Sequence, residues 1–329
     1  MIAVLRLARA RSVRPFVVSL IIIVVIALID GGQGRFLSFG TVSSVLQQFA
    51  TVGPVALAIG LTMIASEFDL SVGGMAGLAG CVAVLTGASD PMVGIAAATT
   101  VGLAAGLVQG VIMVRLGLSS VAVTLGGLLT LTGIAYVVTD NTTVGYPRLD
   151  VAMLVNEPVV GIISIRCALA LGAFIIAAFV MYFTRIGRDV VAVGSDRRSA
   201  MTAGVSVSAI TIGVFAVSGL LTSLSGALLS YSLAAASPAA LASTLVPAVA
   251  AAIIGGVSLA GGKGSPLGIA GGVLVLCILR SSMSSIGLAP YVQDIATGGV
   301  LLIVALMDAD DLTRQLYPLV KKLRRGVPS

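Results

Sequence analysis

The sequence predicts an all-α, polytopic membrane protein with about ten transmembrane helices. Of its 329 residues, 58% are hydrophobic and only 10% are charged, whereas soluble domains carry about 25% charged residues. So few charges cannot cover a water-facing surface, and the bilayer must therefore surround most of the chain. The apolar runs are long and continuous, which favours helices over the short alternating strands of a membrane β-barrel.

The apolar runs divide into ten segments, each near the length of about 20 residues that a helix needs to cross a bilayer. They cover residues 14–30, 42–66, 70–88, 91–114, 119–139, 161–183, 209–235, 240–260, 265–286 and 290–307. Together they form one transmembrane domain, 14–307, between an N-terminal segment, 1–13, and a C-terminal tail, 308–329. A division near residue 160 leaves five segments in each half. Because an odd number gives the halves opposite orientations, we expect an inverted 5+5 repeat.

Lysine and arginine set the orientation, because they accumulate in cytoplasmic loops. With the N-terminus inside, most of the 19 basic residues fall in the two terminal segments and in the polar stretch 184–208. Both termini are then cytoplasmic. No small-residue cleavage site follows residue 30, so we expect an uncleaved first helix rather than a signal peptide. The longest outer connection, 140–160, is either a solvated connector or a contact for an external partner.

The composition excludes several kinds of site. The chain has no histidine, which rules out a histidine-based metal site, catalytic triad or proton relay. Its three cysteines stand singly in apolar segments and are expected to pack in the core. The glycine-rich stretch 255–265 is not a phosphate-binding loop, because Val257 and Gly264 stand where Gly and Ser or Thr are required. We interpret it as a flexible cytoplasmic turn. The basic residues follow the membrane orientation, so the net charge does not indicate nucleic-acid binding.

The polar stretch 184–208 lies between two apolar segments. It carries four arginines: Arg185, Arg188, Arg197 and Arg198. Ser195 or Asp196 can cap a short helix over 197–203, and Gly204 can end it. A helix of about two turns is not stable alone, so we expect it to dock on the membrane domain or on a partner. The alternative is that its arginines contact anionic lipid headgroups.

Two carboxylates stand between the second and third segments. Asp69 is expected to cap the following helix by accepting backbone N–H bonds near Gly73. Alternatively, Glu67 and Asp69 reach into the membrane on a broken helix, where a charge is costly and marks a functional site. Asp69 is therefore a candidate residue of a solute pathway.

Other polar residues lie inside the apolar segments. Arg166 and Arg280 lie towards the outer ends of theirs, and Arg280 is well inside. Asp294, early in the last segment, has a similar depth, so we expect it to pair with Arg280 or to line the outer part of a solute pathway with it. The alternative is that Arg280 extends to the headgroups. Five further polar residues either line the pathway or bond across helices: Gln47, Gln48, Gln109, Thr124 and Thr130. Of these, Gln47, Gln48 and Thr124 are the candidates for the pathway.

Six short stretches carry a family resemblance when they are taken together. They are Val45–Gln48, Phe68–Gly73, Val123–Gly127, Gly187–Gly194, Ser258–Gly264 and Tyr291–Ile295. In this combination and order the chain resembles ABC-importer permeases of the ribose, xylose, arabinose and galactose type, in the superfamily of branched-chain amino-acid and sugar permeases. The resemblance runs from about residue 40 to 308, nearly all of the predicted membrane domain.

The resemblance implies a multi-pass permease subunit of the bacterial inner membrane that catalyses no covalent reaction and needs no cofactor. It implies a second permease subunit, the same or homologous, a pair of cytoplasmic ABC ATPase subunits, and a periplasmic binding protein. The binding protein would deliver a small polar solute, usually a monosaccharide. The 184–208 stretch would be the element that couples the permease to the ATPase, through seven residues: Arg188, Gly194, Ser195, Asp196, Arg197, Ala200 and Gly204.

The chain departs from the family pattern at Glu67, Arg280 and Asp294, where a small residue, an amide and a glutamine are usual. These charges leave sugar alcohols and modified or signalling sugars open as solutes. Three other functions also stay open. An ion-coupled secondary transporter would need Glu67 or Asp69 as a buried coupling carboxylate, and a branched-chain amino-acid permease would share the architecture. An intramembrane enzyme would need a nucleophile–base pair, which the sequence lacks.

Overall fold

The computed structural model describes residues 14–29, 38–239 and 242–302. The predicted N-terminal segment 1–13 and tail 308–329 lie outside the described residues. The helices are α1 Arg14–Ile29, α2 Phe39–Ile64, α3 Val72–Thr86, α4 Pro91–Leu116, α5 Ser120–Val138, α6 Leu149–Asn156, α7 Ile165–Phe183, α8 Arg185–Ser195, α9 Arg197–Thr202, α10 Val207–Ser232, α11 Leu245–Ile254, α12 Pro266–Ser285 and α13, described over 290–302.

Each of the ten apolar segments overlaps one of these helices. In the described part of the chain, six helices are long and apolar enough to cross a membrane: α2, α4, α5, α7, α10 and α12. The apolar helices α1, α3 and α11 are shorter. Helix α11 ends at Ile254 because the glycine-rich stretch begins there, and a short 3₁₀ turn, Ala242–Thr244, precedes it. The chain is therefore an all-α, multi-pass membrane protein.

Serine and aspartate caps explain where several of the long helices begin. A side-chain oxygen of the residue before the helix accepts a backbone N–H bond in α2, α4, α5, α7, α10 and α12. Such a cap satisfies a donor that the helix itself leaves unpaired. At the other end of α4, Gly117 takes a left-handed conformation (φ +64°) and stops the helix.

The connection 140–160, which the sequence predicted to lie outside, is folded rather than a loose connector. It contains α6 and the strands β1 (Val144–Gly145) and β2 (Pro158–Val160). β2 pairs with β3 (Ile163–Ser164), and β1 pairs antiparallel with β4 (Ala235–Ala236) beyond α10. The Tyr146 hydroxyl donates to the Gly87 carbonyl at 2.9 Å. The connection is therefore fastened to the C-terminal ends of α3 and α10.

Helix α10 lies at the centre of the bundle and packs against α2, α3 and α4. Helix α4 meets it through a buried stripe of small residues spaced by four: Gly94, Ala98, Gly102, Gly106 and Gly110. A Cβ added at Gly106 would overlap the Phe215 carbonyl oxygen of α10, and one at Gly219 would overlap the Gly102 carbonyl oxygen. The backbones thus touch from both sides, which is how small residues drive helix association in a membrane.

Candidate functional site

The 184–208 stretch forms two helices, α8 and α9, where the sequence predicted one short helix in a loop. Helix α8 buries Val190 and Val193 and exposes Arg185 and Arg188. It is therefore a strongly amphipathic helix that packs on the membrane domain with one face. Gly204 (φ +84°) ends the α9 region in a left-handed conformation, as predicted.

Asp196 is the cap of α9, and of the two predicted alternatives it is the one that the structure selects. Its carboxylate accepts backbone N–H bonds from Arg198 at 2.9 Å and Ser199 at 3.3 Å, and a hydroxyl bond from Ser199 at 2.8 Å. These hydrogen bonds, led by that of the Ser199 side chain, favour the ionised form and lower the pKa of Asp196. Ser195 instead donates its hydroxyl to the Val191 carbonyl within α8.

The end of α8 packs directly on two other segments of the chain. A Cβ added at Gly194 would overlap the Ile64 carbonyl oxygen at the end of α2. The same carbonyl accepts a hydrogen bond from Gly262 N at 2.9 Å. Gly262 has a φ of +68° and lies against the backbone of Ser195. The stretch 255–265 therefore packs on the end of α8 and on the end of α2, where its glycines allow the backbones to approach closely.

A second link joins α9 to the connection between α2 and α3. Glu67, only 9% exposed, forms an ion pair with the half-exposed Arg197. Next to it, Phe68 N donates to the Ser120 hydroxyl at 3.1 Å, and the Thr124 hydroxyl donates to Phe68 O at 3.1 Å. Ser120 and Thr124, which supply these two hydroxyl groups, both lie near the start of α5. The α2–α3 connection therefore bridges the 184–208 stretch and α5.

Asp69 is buried in the same connection, 3% exposed, but it does not cap α3 as predicted. Its carboxylate accepts bonds from Ser71 N at 2.9 Å, from the Ser71 hydroxyl at 2.6 Å and from the Ser218 hydroxyl of α10 at 2.6 Å. Ser71, two residues later, occupies the cap position. Burial raises the pKa of Asp69, and the three hydrogen bonds oppose that rise. Asp69 forms no ion pair with the described residues.

The seven predicted coupling residues divide by burial. Gly194 and Ala200 are buried and face the chain's own membrane domain. The other five are exposed: Arg188, Ser195, Asp196, Arg197 and Gly204.

Arg280 and Asp294 form an ion pair. Pairing was one of the two alternatives that the sequence predicted for them. The Arg280 guanidinium donates to Asp294 Oδ1 at 2.5 Å and to the Thr297 hydroxyl at 3.3 Å. Arg280 is 27% exposed and Asp294 is 70% exposed. The pair ties α12 to α13.

The six pathway candidates do not converge on one place. Asp69 and Thr124 lie at the α2–α3 connection. Gln48 donates to the Ser281 hydroxyl of α12 at 2.8 Å, and Gln47 donates to the Asn156 carbonyl at 3.2 Å. Arg280 and Asp294 form a separate pair between α12 and α13. The six candidates therefore belong to four different contacts.

A polar cluster that the sequence did not predict joins the first half of α2 and the start of α7 to the ends of α6 and α10. Its centre is Arg166, and the other members are Gln47, Thr51, Asn156 and Ser232. A cavity of about 620 Å³ adjoins it and is lined on one side by Asn156 and Ser232. The signals in the sequence were Arg166 and Gln47, two polar residues inside apolar segments.

The comparisons with known proteins cover nearly the same part of the chain as the fold. The family described as branched-chain amino acid transport system / permease component matches residues 41–305. The ribose import permease protein RbsC of Escherichia coli K12 is 31% identical over 87% of this chain and 91% of its own length. The L-arabinose ABC transporter permease protein AraH of Azospirillum brasilense is 29% identical over 83% and 81%, respectively. The xylose transport system permease protein XylH of Haemophilus influenzae is 29% identical over 85% and 91%. No solved structure matches the chain. The chain belongs to the permease-component family of branched-chain amino acid transport systems and, within it, to the ABC-importer permeases of the ribose, arabinose and xylose type.

Proposed function

We propose that the chain is the permease subunit of an ATP-driven importer of a monosaccharide, delivered by a periplasmic binding protein. The relatives support this, since their names specify ribose import, arabinose ABC transport and xylose transport. Separate cytoplasmic ABC subunits hydrolyse the ATP, and this chain catalyses no covalent reaction.

The proposal rests on helices α8 and α9, which pack against the membrane domain of the same chain. Gly194 holds α8 against the end of α2, while Arg188 stays exposed and available to an ATPase subunit. The ion pair between Glu67 and Arg197 then offers a route inward. A displacement of α9 is transmitted to the α2–α3 connection through this ion pair. It is transmitted further to α5 through the hydrogen bonds of Phe68.

The proposed topology has ten spans in the bacterial inner membrane, cytoplasmic termini and two halves related as an inverted 5+5 repeat. Helix α5 supports a second permease subunit, the same or homologous. Only 17% of its apolar window is buried, and Leu125, Leu129 and Val137 are exposed. A second permease covers part of this face in the proposal, and lipid covers the rest.

The solute pathway in this proposal runs between the outer ion pair and the α2–α3 connection. Polar side chains at different depths support it, since a sugar needs hydrogen-bonding partners along the way. The candidates are Gln47, Gln48, Asp69, Thr124, Arg280 and Asp294.

The carboxylates favour ATP-driven import over ion coupling. An ion-coupled transporter needs a carboxylate that a proton or cation can reach. Glu67 is occupied by Arg197, and Asp69 is bonded by Ser71 and Ser218. Neither of them presents a free carboxylate to an ion pathway.

Co-expression with the neighbouring genes tests the proposal. An ATPase subunit should co-purify, and proteoliposomes holding the complex and its binding protein should take up a monosaccharide, neutral or acidic, when ATP is inside. A hydrolysis-deficient ATPase is the control and should abolish uptake. Uptake that runs on an ion gradient without ATP would overturn the importer.

A further inference from the structure

Arg166 is a buried cation without a carboxylate partner among the described residues. It lies in the first turn of α7 and is 4% exposed. Its Nη1 donates to Asn156 Oδ1 at 3.0 Å and to the Ser232 hydroxyl, and its Nη2 donates to the Thr51 hydroxyl at 2.6 Å. All three acceptors are neutral. A buried charge with only neutral partners is destabilising unless an opposite charge is supplied.

The guanidinium has donors left over for such a charge. Arginine carries five N–H groups, and the three bonds above leave one on Nε and one on Nη2. Nε is buried and has no partner. Two N–H groups on neighbouring nitrogens of a planar fork match the two oxygens of a carboxylate.

The same cluster also has an acceptor without a partner. Gln47 Oε1 is buried and unbonded, while its amide nitrogen donates to the Asn156 carbonyl at 3.2 Å. Asn156 therefore connects Gln47 to Arg166. A hydroxyl group can donate to Gln47 Oε1, so the cluster offers one place for a carboxylate and another for a hydroxyl.

We propose that this cluster binds a sugar acid, with Arg166 on its carboxylate and Gln47 on one of its hydroxyls. A phosphorylated sugar fits less well, because its charge of about −1.5 to −2 exceeds that of one guanidinium. Glu157, which lines the adjoining cavity, repels either anion, and it repels the phosphate more strongly because of the larger charge. The proposal rests on the proposed function and specifies its substrate class as monosaccharides that carry a carboxylate.

The adjoining cavity provides the route to the cluster. It is a largely open cavity of about 620 Å³ between α6 and the end of α10, wide enough to admit a monosaccharide. The side chains of Asn156 and Ser232 separate it from the guanidinium. Both must rotate for the solute to reach Arg166, and their hydrogen bonds to Arg166 are then replaced by those of the carboxylate.

Binding to the purified permease in lipid nanodiscs tests the proposal. The probes are D-galacturonate, D-glucuronate and D-gluconate, with D-galactose and D-glucose as neutral counterparts, and the readout is the thermal unfolding temperature. At least one acid should raise it saturably, at a concentration at least tenfold below that of its neutral counterpart. Arg166→Gln should abolish this preference. Arg148→Gln, which changes an exposed arginine of the outer connection, is the matched control and should retain it.

Three results would overturn the proposal: no acid binds, acid and neutral sugar bind alike, or Arg166→Gln keeps the preference. In the first case the cluster holds only water. If Arg166→Gln does not fold, Gln47→Leu takes its place and should weaken acid binding at least tenfold. ATP-driven uptake of neutral sugars without acid binding overturns this proposal alone, whereas acid binding without ATP-driven uptake overturns only the importer.

Discussion

Glu67 and Arg197, which are 130 positions apart, form an ion pair that joins the α2–α3 connection to α9. The carboxylate is 9% exposed and the guanidinium is 44% exposed. The two partners are therefore unequal, because loss of the arginine leaves a nearly buried charge, whereas loss of the carboxylate leaves an arginine that water can solvate.

This inequality predicts that Arg197→Met is more harmful than Glu67→Gln. We expect about 1 kcal/mol of lost unfolding free energy for Glu67→Gln and more for Arg197→Met. Both should lower the transport obtained per ATP hydrolysed. Thermal unfolding and coupled uptake of the reconstituted complex measure the two effects. Arg198→Met, which removes an exposed neighbour without a side-chain partner among the described residues, is the control. Equal effects of Arg197→Met and Arg198→Met would contradict the role of the pair.

The sequence located the helices because membrane thickness fixes their length and hydropathy marks their position. It also narrowed the cap of α9 to Ser195 or Asp196, since capping depends on residues three positions apart, and the structure selects Asp196. It missed α8, whose glycines and charges conceal an amphipathic helix. It could not predict that the Ser218 hydroxyl bonds to Asp69, 149 positions away. Nor could it predict which residues surround Arg166. Those contacts depend on how four helices pack, and no local pattern encodes that packing.

Gly194→Ala should separate α8 from the membrane domain. The added Cβ would overlap a backbone carbonyl at Ile64, which cannot rotate away. Overpacking of this kind costs about 1–3 kcal/mol, and ATPase activity should persist while transport falls. Gly213→Ala in α10 is the matched control, because nothing lies within 4 Å of its added Cβ. It should be neutral or slightly stabilising. Normal transport by Gly194→Ala would show that the close approach is dispensable.

The raised pKa of Asp69 predicts that the stability of the protein depends on pH. Its pKa is raised from 3.8 by burial, so between 3.8 and the folded-state pKa the folded protein binds more protons than the unfolded chain. This contribution to stability is present below pH 3.8 and is lost as the pH rises through the folded-state pKa. In Asp69→Asn that decline should disappear, and the variant should be at least as stable at neutral pH.

Thermal unfolding from pH 3 to pH 8 measures the difference between Asp69→Asn and the unchanged protein. Asp196→Asn is the control of opposite sign, because the pKa of Asp196 is lowered from 3.8. The stability that Asp196 contributes is present above that value and is lost as the pH falls. An Asp69→Asn profile parallel to that of the unchanged protein would contradict the assignment.

Gly106→Ala should destabilise the contact between α4 and α10. Its Cβ would overlap the Phe215 carbonyl oxygen, so the two backbones must separate, at a cost of about 1–3 kcal/mol. Gly172→Ala in α7, where nothing lies within 4 Å of an added Cβ, should instead gain up to about 1 kcal/mol from helix propensity. Unfolding temperatures of the purified variants compare the two. A Gly106→Ala protein as stable as Gly172→Ala would mean that the helices do not pack this closely.

The pair of Arg280 and Asp294 should act on transport more than on stability. Asp294 is 70% exposed, so the pair contributes at most about 1 kcal/mol to folding. Either single reversal, Arg280→Asp or Asp294→Arg, places two like charges together between α12 and α13 and should lower ATP-driven uptake severalfold. The double exchange restores opposite charges and should recover most of the uptake. The exchange of Arg148 and Asp150, an ion pair at 2.6 Å in the connection 140–160, is the control and should leave uptake unchanged. If the double exchange of Arg280 and Asp294 is as inactive as the single reversals, each charge acts on the solute by itself, and the pairing has no part in transport.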